Sequence, residues 1–365
     1  MDRRLFVASV VLTQAFLFHI NPPARAEQPS AEEATLLESI IVQHEATIQK
    51  IESSPLFVEY SWRSTMTVGP GPAPNGEDLS GRMVAEGHAR YWKDGSSYCE
   101  DRDLKNTWPE TGKVSSLSSI FLRNESYAIS FQKDNPILNF YPFDAHGNPP
   151  QSIKDQSELY PNPDILREAI RYSDRETLRD AYARERGKYS WTPSEVDVDG
   201  KRYYKITVEK PGTDKKSLQR ELLFDPQCGY LIKESRTYNK AGVPFYVVQA
   251  TFEPAGDGLW FPKTVTRNIS EGQHVSDYQI EKISLGDPEI GKSLTLEALE
   301  IDRASILMIE HAKGGAMNRK GYLDGKWVPY DSLPQERKDA ISDTRLKANA
   351  QMGNVQSLPG TARKR

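Results

Sequence analysis

The chain has 365 residues, with 47 Lys and Arg against 51 Asp and Glu and a formal charge of −4. That balance excludes the broad basic face with which proteins neutralise nucleic-acid phosphates. Hydrophobic residues make up 37%, beside 24 Gly and 24 Pro. The chain is therefore turn-rich and less apolar than a typical globular domain, with room for two domains or one large β domain.

Arg3 and Arg4 precede an apolar run from Leu5 to Phe18, then Asn21-Pro22-Pro23 and Ala24-Arg25-Ala26. A charged start, an apolar stretch and an A-x-A site read as an export signal over 1–26, cleaved before Glu27. The run is shorter than the ~20 residues of a membrane-spanning helix, so an uncleaved anchor is the weaker alternative. Cleavage removes three arginines and one aspartate, taking the formal charge from −4 to −6. The expected location is periplasmic or secreted, where disulfides persist. Cys99 and Cys228 are the two cysteines. They either pair across a long loop, worth about 4–5 kcal/mol in the chain-entropy model, or stand as separate buried thiols.

In the mature chain, Ala34, Leu37, Ile41, His44, Ile48 and Ile51 recur at helical spacing over 31–52, predicting an amphipathic helix. Ser30 with Glu33 forms its capping box. Val58, Tyr60 and Trp62 then alternate with Glu59, Ser61 and Arg63, the period of a half-buried strand. Met83–Trp92 and Ser96–Asp101 pair about Asp94-Gly95, and a further strand pair is expected over Ile120–Phe131. Residues 69–80 and 134–150 read as loops. A helical insertion is expected over 151–186, with Asn162-Pro163 and Ser173…Glu176 as helix starts. Hairpins follow around Asp199-Gly200, Asp225–Gly229 and Ala255–Gly258, ending in a long strand Val275–Leu285. Beyond it come an expected helix over 295–311, a small hairpin about Asp324-Gly325 within 291–335, and over 336–365 a frayed helix passing into a mostly disordered tail. The fold class is α+β, mainly antiparallel: a curved sheet or incomplete β-barrel with packed helices.

Several motifs carry no chemistry in this context. Gly286-Asp287-Pro288-Glu289-Ile290-Gly291-Lys292-Ser293 spells a phosphate-binding loop. The strand before it alternates with charges instead of running apolar, so it reads as a linker. His44, His88, His146, His274 and His311 are scattered without metal-binding spacing, and no catalytic motif occurs. The expectation is a non-enzyme without metal, cofactor or nucleotide. A hydrolase acting through carboxylates that only the fold would pair is the alternative.

Leu223-Phe224-Asp225-Pro226-Gln227-Cys228-Gly229-Tyr230-Leu231-Ile232, Pro244–Val248 leading to Gly258-Leu259-Trp260-Phe261-Pro262-Lys263, and the turn Trp92-Lys93-Asp94-Gly95 carry a resemblance. Together with the leading helix they resemble the LolA/LolB/RseB-like periplasmic lipoprotein-carrier superfamily over residues 31–290. The resemblance implies a half-barrel domain over 27–290 whose concave face takes acyl chains or a signalling peptide. Its candidate lining is Tyr60, Trp62, Tyr91, Tyr127, Phe131, Tyr204, Tyr246, Phe252 and Trp260, large stiff side chains suited to an apolar cavity. The bland alternative is that these rings fill the core. The implied partner is an apolar small molecule, a lipid or a lipidated protein. The competing reading is an interaction or envelope-sensing module on the same fold, binding through a strand edge.

Overall fold

The computed structural model describes residues 30–68, 81–133, 135–144, 146–148, 176–211, 217–269, 273–311 and 317–356. The expected signal at 1–26, the loop at 69–80, both helix starts at 162–163 and 173, and the last residues of the tail lie outside them. Among the described residues no helix is long and apolar enough to cross a membrane.

Helix α1 (Ala31–Ser53) starts as its capping box dictates. The Glu33 amide donates to Ser30 Oγ at 3.3 Å and the Ser30 amide to the Glu33 carboxylate at 2.7 Å. From Leu56 the period switches to two, and an antiparallel meander follows: β1 (Leu56–Val68), β2 (Gly81–Asp94), β3 (Ser97–Trp108), β4 (Lys113–Arg123), β5 (Tyr127–Gln132) and β6 (Asn135–Pro142). The short helix α2 (Leu178–Glu185) precedes a second meander of β7 (Ser190–Val198), β8 (Lys201–Lys210), β9 (Ser217–Asp225), β10 (Leu231–Tyr238), β11 (Pro244–Gly256), β12 (Leu259–Ile269) and β13 (His274–Leu285). β14 (Leu307–His311), β15 (Met317–Leu323), β16 (Lys326–Pro329) and α3 (Gln335–Gln356) are the last described elements.

All sixteen strands of the described residues form one sheet, in the order β16-β15-β14-β6-β5-β4-β3-β2-β1-β13-β12-β11-β10-β9-β8-β7. Pairing of β1 with β13 joins the two meanders, and β14 lies parallel to β6 while the other pairs are antiparallel. The sheet is curved and not closed, with β7 and β16 as its ends. The hairpins at Asp199-Gly200, Asp257-Gly258 and Asp324-Gly325 have positive φ at both residues. This is the backbone that matches strand twist and that Asp-Gly adopts at low cost.

Three expectations change. Residues 135–142 form β6 where a loop is expected, because Leu138 joins Ile129 and Phe131 in a packed cluster. Helix α2 is capped by Thr177, whose side chain accepts from the Asp180 amide. Over 295–311 no single helix forms. Leu294, Leu296, Ile306 and Met308 are drawn onto the sheet, leaving short 3-10 turns at Pro288–Ser293 and Arg303–Ser305 followed by β14. The tail holds a helix to Gln356, anchored by Ile341, which packs with Leu307 and Leu333.

Two faces result. On the inner face α1 and α2 pack through Leu37, Ile40, Ile41, Leu178 and Ala181 onto Trp191, Ile206, Leu222 and Phe224, and α3 meets Leu307. The outer face of β3–β6 is covered by residues 294–306. The turn after β9 seats against α1: Gly229, at φ +71°, has Thr47 Oγ1 only 2.9 Å from where a Cβ would stand.

Of the two alternatives for the cysteines, the structure shows separate thiols. Cys99 is buried in the outer-face cluster and Cys228 in the 3-10 turn after β9. Burial, aided by Asp101 and Asp225 respectively, pushes each thiol up to about 12. Thiolate is the reactive form, so neither cysteine is expected to react with iodoacetamide at neutral pH until the chain is denatured. Intact mass after denaturing alkylation should show both labelled. Recovery of an unlabelled, reducible form would reinstate the bridge.

Candidate functional site: the inner face of the central strands

Alternation along β1 sends Val58, Tyr60, Trp62 and Ser64 to the inner face. The register sets large against small: Tyr60 faces Ala89, Trp62 faces Gly87 and Ser64 faces Ala85 on β2. On the other flank Tyr60 meets Ile280, Trp62 meets Tyr278 and Ser64 meets Ser276 on β13. The Trp62 indole lies across Gly87, where a Cβ would fall 2.1 Å from Cζ2. Tyr60 tilts against it at 5.8 Å between ring centroids. The Arg102 guanidinium lies 4.7 Å from the Trp62 ring, a cation–π arrangement. Tyr91, Val248, Ala250, Phe261 and Val265 extend this floor, and among the described helices α1 reaches it through Ile48 and Ile51.

The floor ends in a polar cluster. Ser64 Oγ lies 2.9 Å from His274 Nε2 and 2.9 Å from Ser276 Oγ, and Ser276 Oγ is 3.1 Å from the same nitrogen. Arg267 Nη2 donates to Ser276 Oγ at 3.2 Å. Ser276 is 0% exposed and Ser64 6%. Two hydroxyls, an imidazole and a guanidinium at the end of an aromatic floor form a surface that is apolar along its length and polar at one end. Sequence reasoning stopped at Trp62 and missed this cluster. The signal was the continuing alternation, Ser64 two residues past Trp62 and His274-x-Ser276-x-Tyr278 across from it.

The candidate lining residues divide among separate clusters. Tyr60, Trp62 and Tyr91 are buried in the central inner cluster, and Tyr246, Phe252 and Trp260 pack half-buried against it. Tyr204 packs with the α1 and α2 cluster and stacks on Tyr230 at 5.6 Å. Tyr127 and Phe131 belong to the outer-face cluster with Ile120, Leu122 and Leu138. They cannot line the same surface as Tyr60, because Ala128 and Ser130 take the inner positions of β5.

The two buried acids of β3 do not form an acid–base pair. Glu100 accepts from the Tyr60 hydroxyl at 3.3 Å on the inner face. Asp101, its neighbour, pairs with Arg90 and Lys133 at 2.5 Å each on the outer face. Consecutive strand residues point to opposite faces. The phosphate-loop-like segment turns as a 3-10 helix with Ile290 buried, and Lys292 is paired with its own Glu289 at 2.7 Å. Metal-ligating groups absent from any sequence spacing do meet on the outer face: Glu59, His88 and Glu281. A depression of about 250 Å³ on β7–β10, lined by Val196, Lys205, Glu221, Leu223 and Arg236, is smaller than common ligand pockets.

No family model and no curated protein matches the sequence. The chain is loosely similar to solved structures. One is a LolA superfamily protein from Nitrosomonas europaea, 12% identical, covering 72% of this chain and 98% of that one at a TM-score of 0.31. Another is a DUF1329 family protein from Desulfovibrio piger, 11% identical, covering 72% of this chain and 98% of that one at a TM-score of 0.33.

Proposed function

We propose that the chain is an exported, non-enzymatic binding protein that holds an apolar ligand, an acyl chain or a lipidated partner, on the inner face of its central strands. The observation that carries this reading is the aromatic floor of Tyr60, Trp62 and Tyr91 ending at Ser64, His274, Ser276 and Arg267. An amphiphile needs that pairing of apolar length and polar end. Aromatic side chains supply wide contact area at little entropic cost.

The test is native mass spectrometry of residues 27–365, purified without detergent from the exported fraction. The expected result is an added mass that organic solvent removes as lipid. A bare mass, unchanged after adding phospholipid or lipopeptide, overturns the ligand reading.

One observation favours a second reading. Tyr60, Trp62 and Tyr91 are only 4%, 9% and 2% exposed, as they would be in a floor already packed shut. On that reading the protein is an interaction module, and β7, which ends the sheet among the described strands, offers its outer edge to a partner strand. A bare mass together with a peptide that protects β7 amides from hydrogen exchange would select it.

A further inference from the structure

On the outer face, behind the aromatic floor, three adjacent strands bring one imidazole and two carboxylates together. The central strand β1 supplies Glu59, β2 supplies His88 and β13 supplies Glu281. His88 Nε2 lies 3.2 Å from Glu59 Oε1 and 3.7 Å from Glu281 Oε2, and the three donor atoms are all within 4.8 Å of one another. The backbone explains the convergence. His88 is paired with Ser61, so Glu59 reaches it on the diagonal of the ladder, the distance long side chains span. The pairing of β1 with β13 slips between Glu59 and Tyr60, from Lys282 to Ile280. Glu281 is the extra residue of that bulge, and a bulge re-aims a side chain that a regular ladder would send away.

An imidazole nitrogen that faces two carboxylate oxygens is held there either by an N–H on Nε2 or by a metal ion among the three groups. The neighbouring side-chain cations make their shortest contacts with other groups, Arg90 adding a longer-range attraction to Glu59. Arg90 pairs with Asp101 at 2.5 Å, Lys133 with Asp101 and Asp103, and Lys282 lies over the Phe57 ring. Zinc bonds of about 2.0–2.1 Å to nitrogen and oxygen place neighbouring tetrahedral donors about 3.3 Å apart. The observed 3.2 and 3.7 Å bracket that spacing.

The geometry points to a divalent-cation site of the zinc class at Glu59, His88 and Glu281, with the remaining coordination position open to solvent. Three protein ligands plus an open position is also the donor count of exchangeable zinc sites. One nitrogen and two oxygens suit borderline ions over calcium, which takes oxygen alone. The site is independent of the inner-face ligand: it lies on the opposite side of the sheet.

The experiment is calorimetric titration of the untagged chain 27–365 with zinc chloride, with cobalt chloride followed by visible absorption. The expected result is one equivalent bound and a tetrahedral cobalt spectrum. Loss of a ligand should weaken affinity by at least about tenfold in both His88→Ala and Glu281→Gln, while His146→Ala leaves it unchanged. Far-UV circular dichroism of each variant confirms the fold, and His88→Gln replaces His88→Ala if the latter unfolds. Absence of binding overturns the site. So does affinity unmoved by the His88 and Glu281 substitutions, or weakened equally by His146→Ala, which would mean an adventitious ion only.

Discussion

Gly87→Ala is expected to destabilise the fold by about 2–3 kcal/mol, although it adds a single methyl to a strand. The reason is space. The added Cβ would stand 2.1 Å from Trp62 Cζ2 and 2.2 Å from Cη2, and rigid ring and backbone cannot both stay in place. Overpacking a filled core costs about 1–3 kcal/mol, and here the obstruction is an aromatic ring with Tyr60 behind it. Trp62→Ala acts oppositely, emptying the site, at about 3–5 kcal/mol. It also takes the ring from beneath Arg102. The two changes must couple. With the indole gone, the alanine methyl at 87 has room and fills part of the void, so the double variant should be more stable than the sum of the singles implies. Urea midpoints at constant m report this directly. Strict additivity would mean that the indole does not rest on Gly87.

How much of this was legible in the sequence depends on which interactions decide each feature. The capping box at Ser30 and the Asp-Gly turns are local chemistry, and they form where the residues say. The alternation Val58-Tyr60-Trp62 gave β1 its inner face. Alternation alone does not say which face of one strand shares a side with which face of another. Tyr127 and Phe131 alternate as cleanly as Tyr60 and Trp62, yet β5 turns them outward onto Ile120 and Leu138, because parity is set by register accumulated across β2 to β5. The Glu59, His88 and Glu281 cluster was illegible for a related reason. Its members come from three strands, and one of them depends on a bulge that no residue pattern announced. Residues 295–311 misled because spaced apolar residues look helical until the sheet offers them a surface. Their leucines and isoleucines pack downward individually, with Asp302 capping only a short turn.

His44 should make stability fall with pH below neutrality. It lies on α1, 2% exposed, with its ring edge on Phe224 and Nδ1 2.9 Å from the Tyr230 carbonyl. A carbonyl only accepts, so Nδ1 carries the proton of the neutral ring. Burial holds His44 below the ordinary imidazole value, outweighing the opposing pull of the Tyr230 carbonyl and Glu45. The unfolded chain therefore binds the proton first as pH falls through about 6.5. Between that value and the folded one the unfolded state carries more protons, so each step down in pH costs stability, and the full contribution is present only above the window. His311 is shifted the same way by burial, so the slope of the wild-type chain belongs to both groups and must be divided. His44→Asn does so, since its amide donates to Tyr230 without titrating. The stability difference between wild type and His44→Asn should shrink or reverse from about pH 8 to about pH 5.5. His44→Ala should lose about 2–4 kcal/mol already at the higher pH, from the cavity on Phe224 and the orphaned carbonyl. A difference between wild type and His44→Asn that is identical at both pH values would mean that the ring takes its proton in the folded chain as readily as in the unfolded one.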